Sequence, residues 1–80
     1  MEYPHLRDIR DDRDITQVQV AKVLGITQPQ YNLYEKGYRD IPPDLLIRLA
    51  RFYKTSTDYL LGLTNDRRAI EDIIADHPKK

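Results

Sequence analysis

Residues 16–37 contain the same phrase twice. Thr16-Gln17-Val18-Gln19 opens a run that ends at Gly25, and Thr27-Gln28-Pro29-Gln30 opens one that ends at Gly37. A threonine followed three residues later by glutamine satisfies two orphan amide donors of a helix start, because each side chain reaches the other residue's backbone. Glycine at the far end takes the left-handed conformation that stops a helix at least cost. Two short helices are therefore expected, with room between Gly25 and Thr27 only for a tight turn. Neither can bury enough surface alone, so the rest of the chain must supply their support.

That support reads as further helices. Pro4 opens a first one, where a fixed φ and a missing donor do no harm, and Leu6, Ile9, Arg10 and Arg13 follow at helical spacing up to Asp14. After a loop at Tyr38-Arg39-Asp40-Ile41, Pro42-Pro43 starts a fourth helix. In it Leu45, Leu49 and Phe52 line up as the core stripe, flanked by Leu46, Ala50 and Tyr53. Ser56 caps a short fifth helix, Asp58-Tyr59-Leu60-Leu61, that ends at Gly62. Asn65 or Asp66 caps a sixth segment carrying Ile70, Ile73 and Ile74, stopped by Pro78. No stretch alternates with a strand period, so the expected fold class is all-α: a five-helix domain over residues 1–63 and a C-terminal helical extension over 64–80.

The chain's 80 residues suit one small core, with little room for a buried catalytic pocket of the usual several hundred Å³. His5 and His77 stand at opposite ends, and no glycine-rich phosphate loop is present, so neither a nucleophile–base pair nor a metal site is expected, and no cofactor. Cysteine is absent, which excludes disulfides and thiolate metal sites and fits a reducing cytoplasm. Apolar runs are far too short to cross a bilayer, and the first residues lack the pattern of a secretory signal.

Helix, glycine turn and helix over residues 16–37 make a helix-turn-helix. Its axes cross closely, which calls for a small residue at the crossing, a flexible one in the turn and apolar residues under the second helix. Ala21, Gly25 and the pair Tyr31 and Tyr34 fill those places in that order. The outer face of the second helix is then left with Gln28, Gln30, Asn32 and Leu33. Amide side chains pair bidentately with adenine in the major groove, and an apolar tip meets the thymine methyl. Gln19 is read as a cap, whereas Gln30 has the geometry for both capping and base contact.

At these residues the chain resembles the phage-repressor and Cro-like regulators, also called the xenobiotic-response-element family. The match runs through Leu6-Arg7-Asp8-Ile9-Arg10, Thr16-Gln17, Val20-Ala21, Gly25-Ile26-Thr27-Gln28, Tyr34-Glu35-Lys36-Gly37 and Asp58-Tyr59-Leu60-Leu61-Gly62. It covers residues 5–63. The resemblance implies a sequence-specific regulator of transcription, a repressor, that lays the helix near residues 28–36 in the major groove. By position, Gln17 is the implied phosphate contact at a helix N-terminus. Thr27, Gln28, Pro29, Gln30 and Leu33 face the groove, Asn32 approaches the backbone, and Lys36, Tyr38 and Arg39 clamp phosphates on the far side. Arg10 and Glu35 match a pair that bridges the first helix to the recognition helix.

Three residues depart from the family pattern. Tyr31 fills a slot usually given to isoleucine or valine, so looser packing, or a phenol reaching a partner or solvent, is expected there. Pro29 suits a first helical turn yet disfavours α backbone at the residue before it, which bears on how Gln28 points. Asp14 stands where glycine is common after the first helix, a place aspartate occupies less comfortably.

One recognition helix touches too few base pairs to find a site in a genome. The stripe of Ile70, Ile73 and Ile74 is therefore read as a homodimer contact that places two copies on an inverted-repeat operator in double-stranded DNA. The alternative is a protein-interaction module, such as an antitoxin-like partner using the C-terminal segment. Charge bears on the choice: the whole chain balances at zero, but residues 1–15 carry −2 whereas 16–40 and 41–63 carry +1 each. The acidic excess lies in the first helix, and the expected DNA face is mildly basic, so non-specific affinity is expected to be weak.

Overall fold

Both threonines cap their helices as their spacing predicts. In the computed structural model, which describes residues 1–69, α2 (Gln17–Leu24) begins with Thr16 Oγ1 accepting from the Gln19 amide at 3.2 Å, while Gln19 Oε1 accepts from the Thr16 amide at 2.8 Å. The start of α3 (Gln28–Glu35) repeats this, Thr27 and Gln30 exchanging bonds of 3.3 and 2.9 Å. Each such cap stabilises its helix by about 1 kcal/mol. At the end of α2, Gly25 takes φ +71° and the Ile26 amide returns to the Ala21 carbonyl at 3.0 Å, which turns the chain directly into Thr27.

Around this pair lie α1 (Leu6–Asp12), α4 (Pro43–Tyr53) and α5 (Thr57–Leu60), and no strand occurs among the described residues. The fold class is all-α. Helix α1 starts two residues after Pro4, and it ends before Asp14, which sits at φ +54° in the left-handed region where glycine is easier. Its Leu6 and Ile9 belong to the same core as Val20, Ala21 and Leu24 of α2. Helix α4 packs on both α2 and α5. That double contact shifts its buried arc one residue from the expected stripe: Leu49, Ala50 and Tyr53 are buried and Leu45 and Leu46 half-buried, whereas Phe52 stays 38% exposed at the rim. Arg48 of α4 also donates to the Leu24 carbonyl at 3.3 Å, satisfying the end of α2.

Tyr31 corrects the expectation of loose packing. It is fully buried, and its hydroxyl lies beside the Glu35 carboxylate. Burial, reinforced by the neighbouring Glu35 carboxylate, pushes its ionisation well above the ordinary phenol range. Tyr53, whose hydroxyl has no hydrogen-bond partner, is pushed up to about 12 by burial.

The N-terminal residues also hold the fold, which the spacing did not reveal. Buried Tyr3 accepts from the Ile41 amide through its hydroxyl at 2.7 Å and ties the start of the chain to the loop after α3. Gly37, at φ +78°, lies so close to Met1 and Glu2 that an added Cβ would stand 3.0 Å from a backbone oxygen. His5 stacks on Tyr59 with ring centres 4.2 Å apart, and Arg67 lies over the same ring while pairing with Asp12. Residues 64–69 carry no helix, and Ile70, Ile73 and Ile74 lie outside the described residues.

Candidate nucleic-acid interface

Helix α3 divides its surface by helical angle. Tyr31 points into the core and Tyr34 lies half-buried beside it. Residues 28, 32 and 35 follow at spacings of four and three and make a stripe along one flank. Farther round, Pro29, Gln30 and Lys36 are exposed and Leu33 is half-buried. The loop that follows adds exposed Arg39 and Tyr38, the latter 73% exposed.

The flank stripe is tied to α1 and α2 by a continuous set of polar contacts. Arg10 of α1 forks onto Glu35, its Nε donating to Oε2 at 2.9 Å and its Nη2 to Oε1 at 2.8 Å. The same guanidinium donates from Nη1 to the Ile15 carbonyl at 3.0 Å, holding the link between α1 and α2. Both partners of the ion pair are withdrawn from solvent, the Glu35 side chain to 6% exposure. Burial alone would raise the Glu35 pKa, but hydrogen bonds from Arg10, with help from the nearby Tyr31 hydroxyl and Gln17, outweigh it and hold the carboxyl below its ordinary value. The bond to Glu35 correspondingly raises Arg10, against its own burial. The pairing expected of these residues is thus present, with two parallel bonds rather than one.

Gln17, the first residue of α2, joins this pair to the expected base-reading residue. Its Nε2 donates to Asn32 Oδ1 at 3.1 Å and to Glu35 Oε1 at 3.3 Å, while its Oε1 accepts from Gln28 Nε2. Gln28 is α-helical although Pro29 follows it, and Pro29 itself is tolerated in the first turn, where its absent donor has no partner to lose. Thr27 and Gln30 occupy each other as a cap, through the glutamine oxygen. The structure therefore gathers Gln17, Gln28 and Asn32 on one connected edge, and places Pro29, Gln30, Leu33 and Lys36 on the adjoining outward face. Sequence reasoning missed the connection from Gln17 to Asn32 and Glu35. The signal was there in the 28, 32, 35 spacing, which aims three polar side chains at one neighbour.

A helix-turn-helix family model matches residues 6–60, from the start of α1 to the end of α5. The chain belongs to the helix-turn-helix family. Within it, the match is of the phage-repressor and Cro-like kind. Among similar proteins, the uncharacterized HTH-type transcriptional regulator YobD of Bacillus subtilis is 43% identical over 76% of this chain and 54% of its own length. The HTH-type transcriptional regulator ImmR of the same organism is 40% identical over 71% of this chain and 45% of its own length. A cryptic phage CTXphi transcriptional repressor, RstR of Vibrio cholerae, is 38% identical over 60% of this chain and 43% of its own length. The chain thus spans about half the length of these helix-turn-helix relatives. A transcriptional regulator from Listeria innocua has the same fold, with a TM-score of 0.72 at 19% identity over 94% of this chain and 73% of that one.

Among the described residues there is no cluster of histidine and carboxylate side chains suited to a metal, and no helix is long and apolar enough to cross a membrane.

Proposed function

We propose that this chain is a cytoplasmic, sequence-specific, double-stranded-DNA-binding regulator of transcription, a repressor, that reads the major groove with α3. The observation that carries the reading is the division of α3. One flank is fastened to α1 and α2 through Arg10, Glu35 and Gln17, and the adjoining face bears exposed Pro29, Gln30 and Lys36 beside Leu33. A helix held in this way presents its outer side chains in fixed register, which base reading requires. The names of the relatives, regulators and a phage repressor among them, support the same reading.

In this reading Gln28 and Gln30 offer amides to base edges, and Leu33 meets a thymine methyl. Gln17 and Asn32 approach the phosphate backbone together with the first amides of α2 and α3, and Lys36, Tyr38 and Arg39 hold the far side. Residues 1–63 form the DNA-binding unit and 64–80 the dimer contact. Two copies bind inverted half-sites about 34 Å apart.

Selection of bound duplexes from a random pool, with the particle mass measured in solution, tests this. An inverted repeat bound by a dimer is the expected result. An isolated asymmetric half-site at saturation contradicts the paired arrangement, and no enrichment at all contradicts DNA reading. Arg39→Ala should weaken binding to every sequence and reduce the slope of affinity against salt by about one. Leu33→Ala should instead change the preference between sequences.

A further inference from the structure

Among the described residues nothing covers the outer face of α4. By helical angle its exposed side chains run in the order Ile47, Arg51, Asp44, Arg48, Phe52, so two apolar residues bracket two arginines, and Lys54 follows at the helix end. Arg51 and Lys54 pair with no carboxylate among the described residues, and Arg48 spends one N–H on the Leu24 carbonyl. Exposed side chains of this kind are ordinary on a lone helix. What singles this face out is that the chain carries its complement. Residues 70–76, which lie outside the described residues, read Ile70-Glu71-Asp72-Ile73-Ile74-Ala75-Asp76: isoleucines set among carboxylates, with no cation. The chain enters that segment from a fixed point. Arg67 pairs with Asp12 at the end of α1 and lies over the Tyr59 ring, and the neighbouring Arg13 donates to the Tyr53 carbonyl at the end of α4 at 3.0 Å. Segment and face therefore adjoin the same corner of the fold.

We propose that the outer face of α4 receives residues 70–76 of a second copy, with isoleucines on Ile47 and Phe52 and carboxylates on Arg48, Arg51 and Lys54. This rests on the reading of the chain as a paired regulator with its dimer contact in the C-terminal residues, and adds the surface that those residues meet. Folded back on its own α4, the segment would use the complement once and leave a monomer. Exchanged about a two-fold axis at the shared corner, it makes the same contact twice and yields the paired copies that an inverted repeat calls for. The contact takes no residue from the outward face of α3.

The test exchanges the charges. One variant carries Arg48→Glu with Arg51→Glu, the other Glu71→Lys with Asp72→Lys, and the mass of each in solution is measured against concentration and salt, without DNA. The unaltered chain should form a dimer that weakens as salt rises. Each variant alone sets like charges together at both contacts, and its dimer should dissociate about tenfold more readily or worse. Mixed in equal amounts, the two variants present unlike charges at both contacts of a mixed pair, because each supplies the face that the other's segment needs. The mixture should regain the dimer to within about threefold of the unaltered chain. Thermal unfolding reports whether the α4 variant keeps its fold. Arg51→Glu alone, whose side chain has no ion pair or hydrogen bond among the described residues, replaces it if loss of the Arg48 bond to Leu24 unfolds the chain.

A dimer that ignores the charges of α4 would overturn this docking while leaving the dimer contact in residues 64–80 standing. Folded variants that are monomeric alone and stay so when mixed, beside an unaltered chain that pairs, would overturn the exchange between copies. An unaltered chain that remains monomeric at every concentration, with its stability lowered by the α4 charges, would place the segment on its own α4 and overturn the paired reading itself.

Discussion

Helices α2 and α3 begin with the same capping box and have the same length, yet they are fastened to the protein in different ways. Helix α2 is held by an aliphatic face: Val20, Ala21 and Leu24 are all buried. Helix α3 buries one side chain completely, Tyr31, and is otherwise held along its flank by charged and amide contacts to Arg10 and Gln17. Apolar burial tolerates small rotations of a helix about its axis, whereas a forked ion pair and a chain of amides do not, since hydrogen bonds weaken steeply with angle. A supporting helix needs stability alone. A helix that reads bases needs rotational register, and the polar flank of α3 supplies it.

The contrast is broken most severely at the ion pair. Glu35→Ala leaves Arg10 buried without its partner and should cost about 3 to 5 kcal/mol, measured by urea unfolding. Because the folded-state carboxyl titrates below its ordinary 4.5, its contribution is complete above that pH and is lost as pH falls through the folded value. Glu35→Gln should remove that part of the acid dependence of stability.

On the apolar side, Leu24→Ala should cost about 2 to 4 kcal/mol while leaving DNA preference unchanged among molecules that remain folded. Equal changes in preference for the Leu24 and Leu33 variants would dissolve the distinction between the helices. Thr16→Ala and Thr27→Ala should each cost about 1 kcal/mol, the caps being alike in geometry. A clear inequality in thermal unfolding would show that the flank contacts share the burden at one helix start. The smallest effect is expected for Tyr53→Phe. Removing a buried hydroxyl that has no partner should change stability by less than about 0.5 kcal/mol or raise it slightly.

The same division separates what could be read in the sequence from what could not. Helix starts and stops at Thr16, Gly25, Thr27 and Ser56 were legible because capping depends on residues within a few positions of one another. The family position of Arg10 and Glu35 correctly implied their pairing across 25 residues of chain. The outward turn of Phe52 was not legible, since it fits the same helical stripe as Leu45 and Leu49 and only the packing of α4 on two neighbours turns it to the rim. Nor was Tyr3, whose bond to the Ile41 amide depends on the fold returning the loop to the chain start. The outer face of α3 could be listed from spacing, but its flank contacts depend on where the start of α2 lies.

The central claim is that DNA meets the outward face of α3. Amide and side-chain chemical shifts of the labelled chain, followed during titration with a selected duplex, test it most directly. The largest changes should fall on Gln17, Gln28, Gln30, Leu33 and Lys36 through Arg39, with the exposed Ile47 and Phe52 of α4 little affected. Changes centred on α4 with α3 unmoved would contradict it.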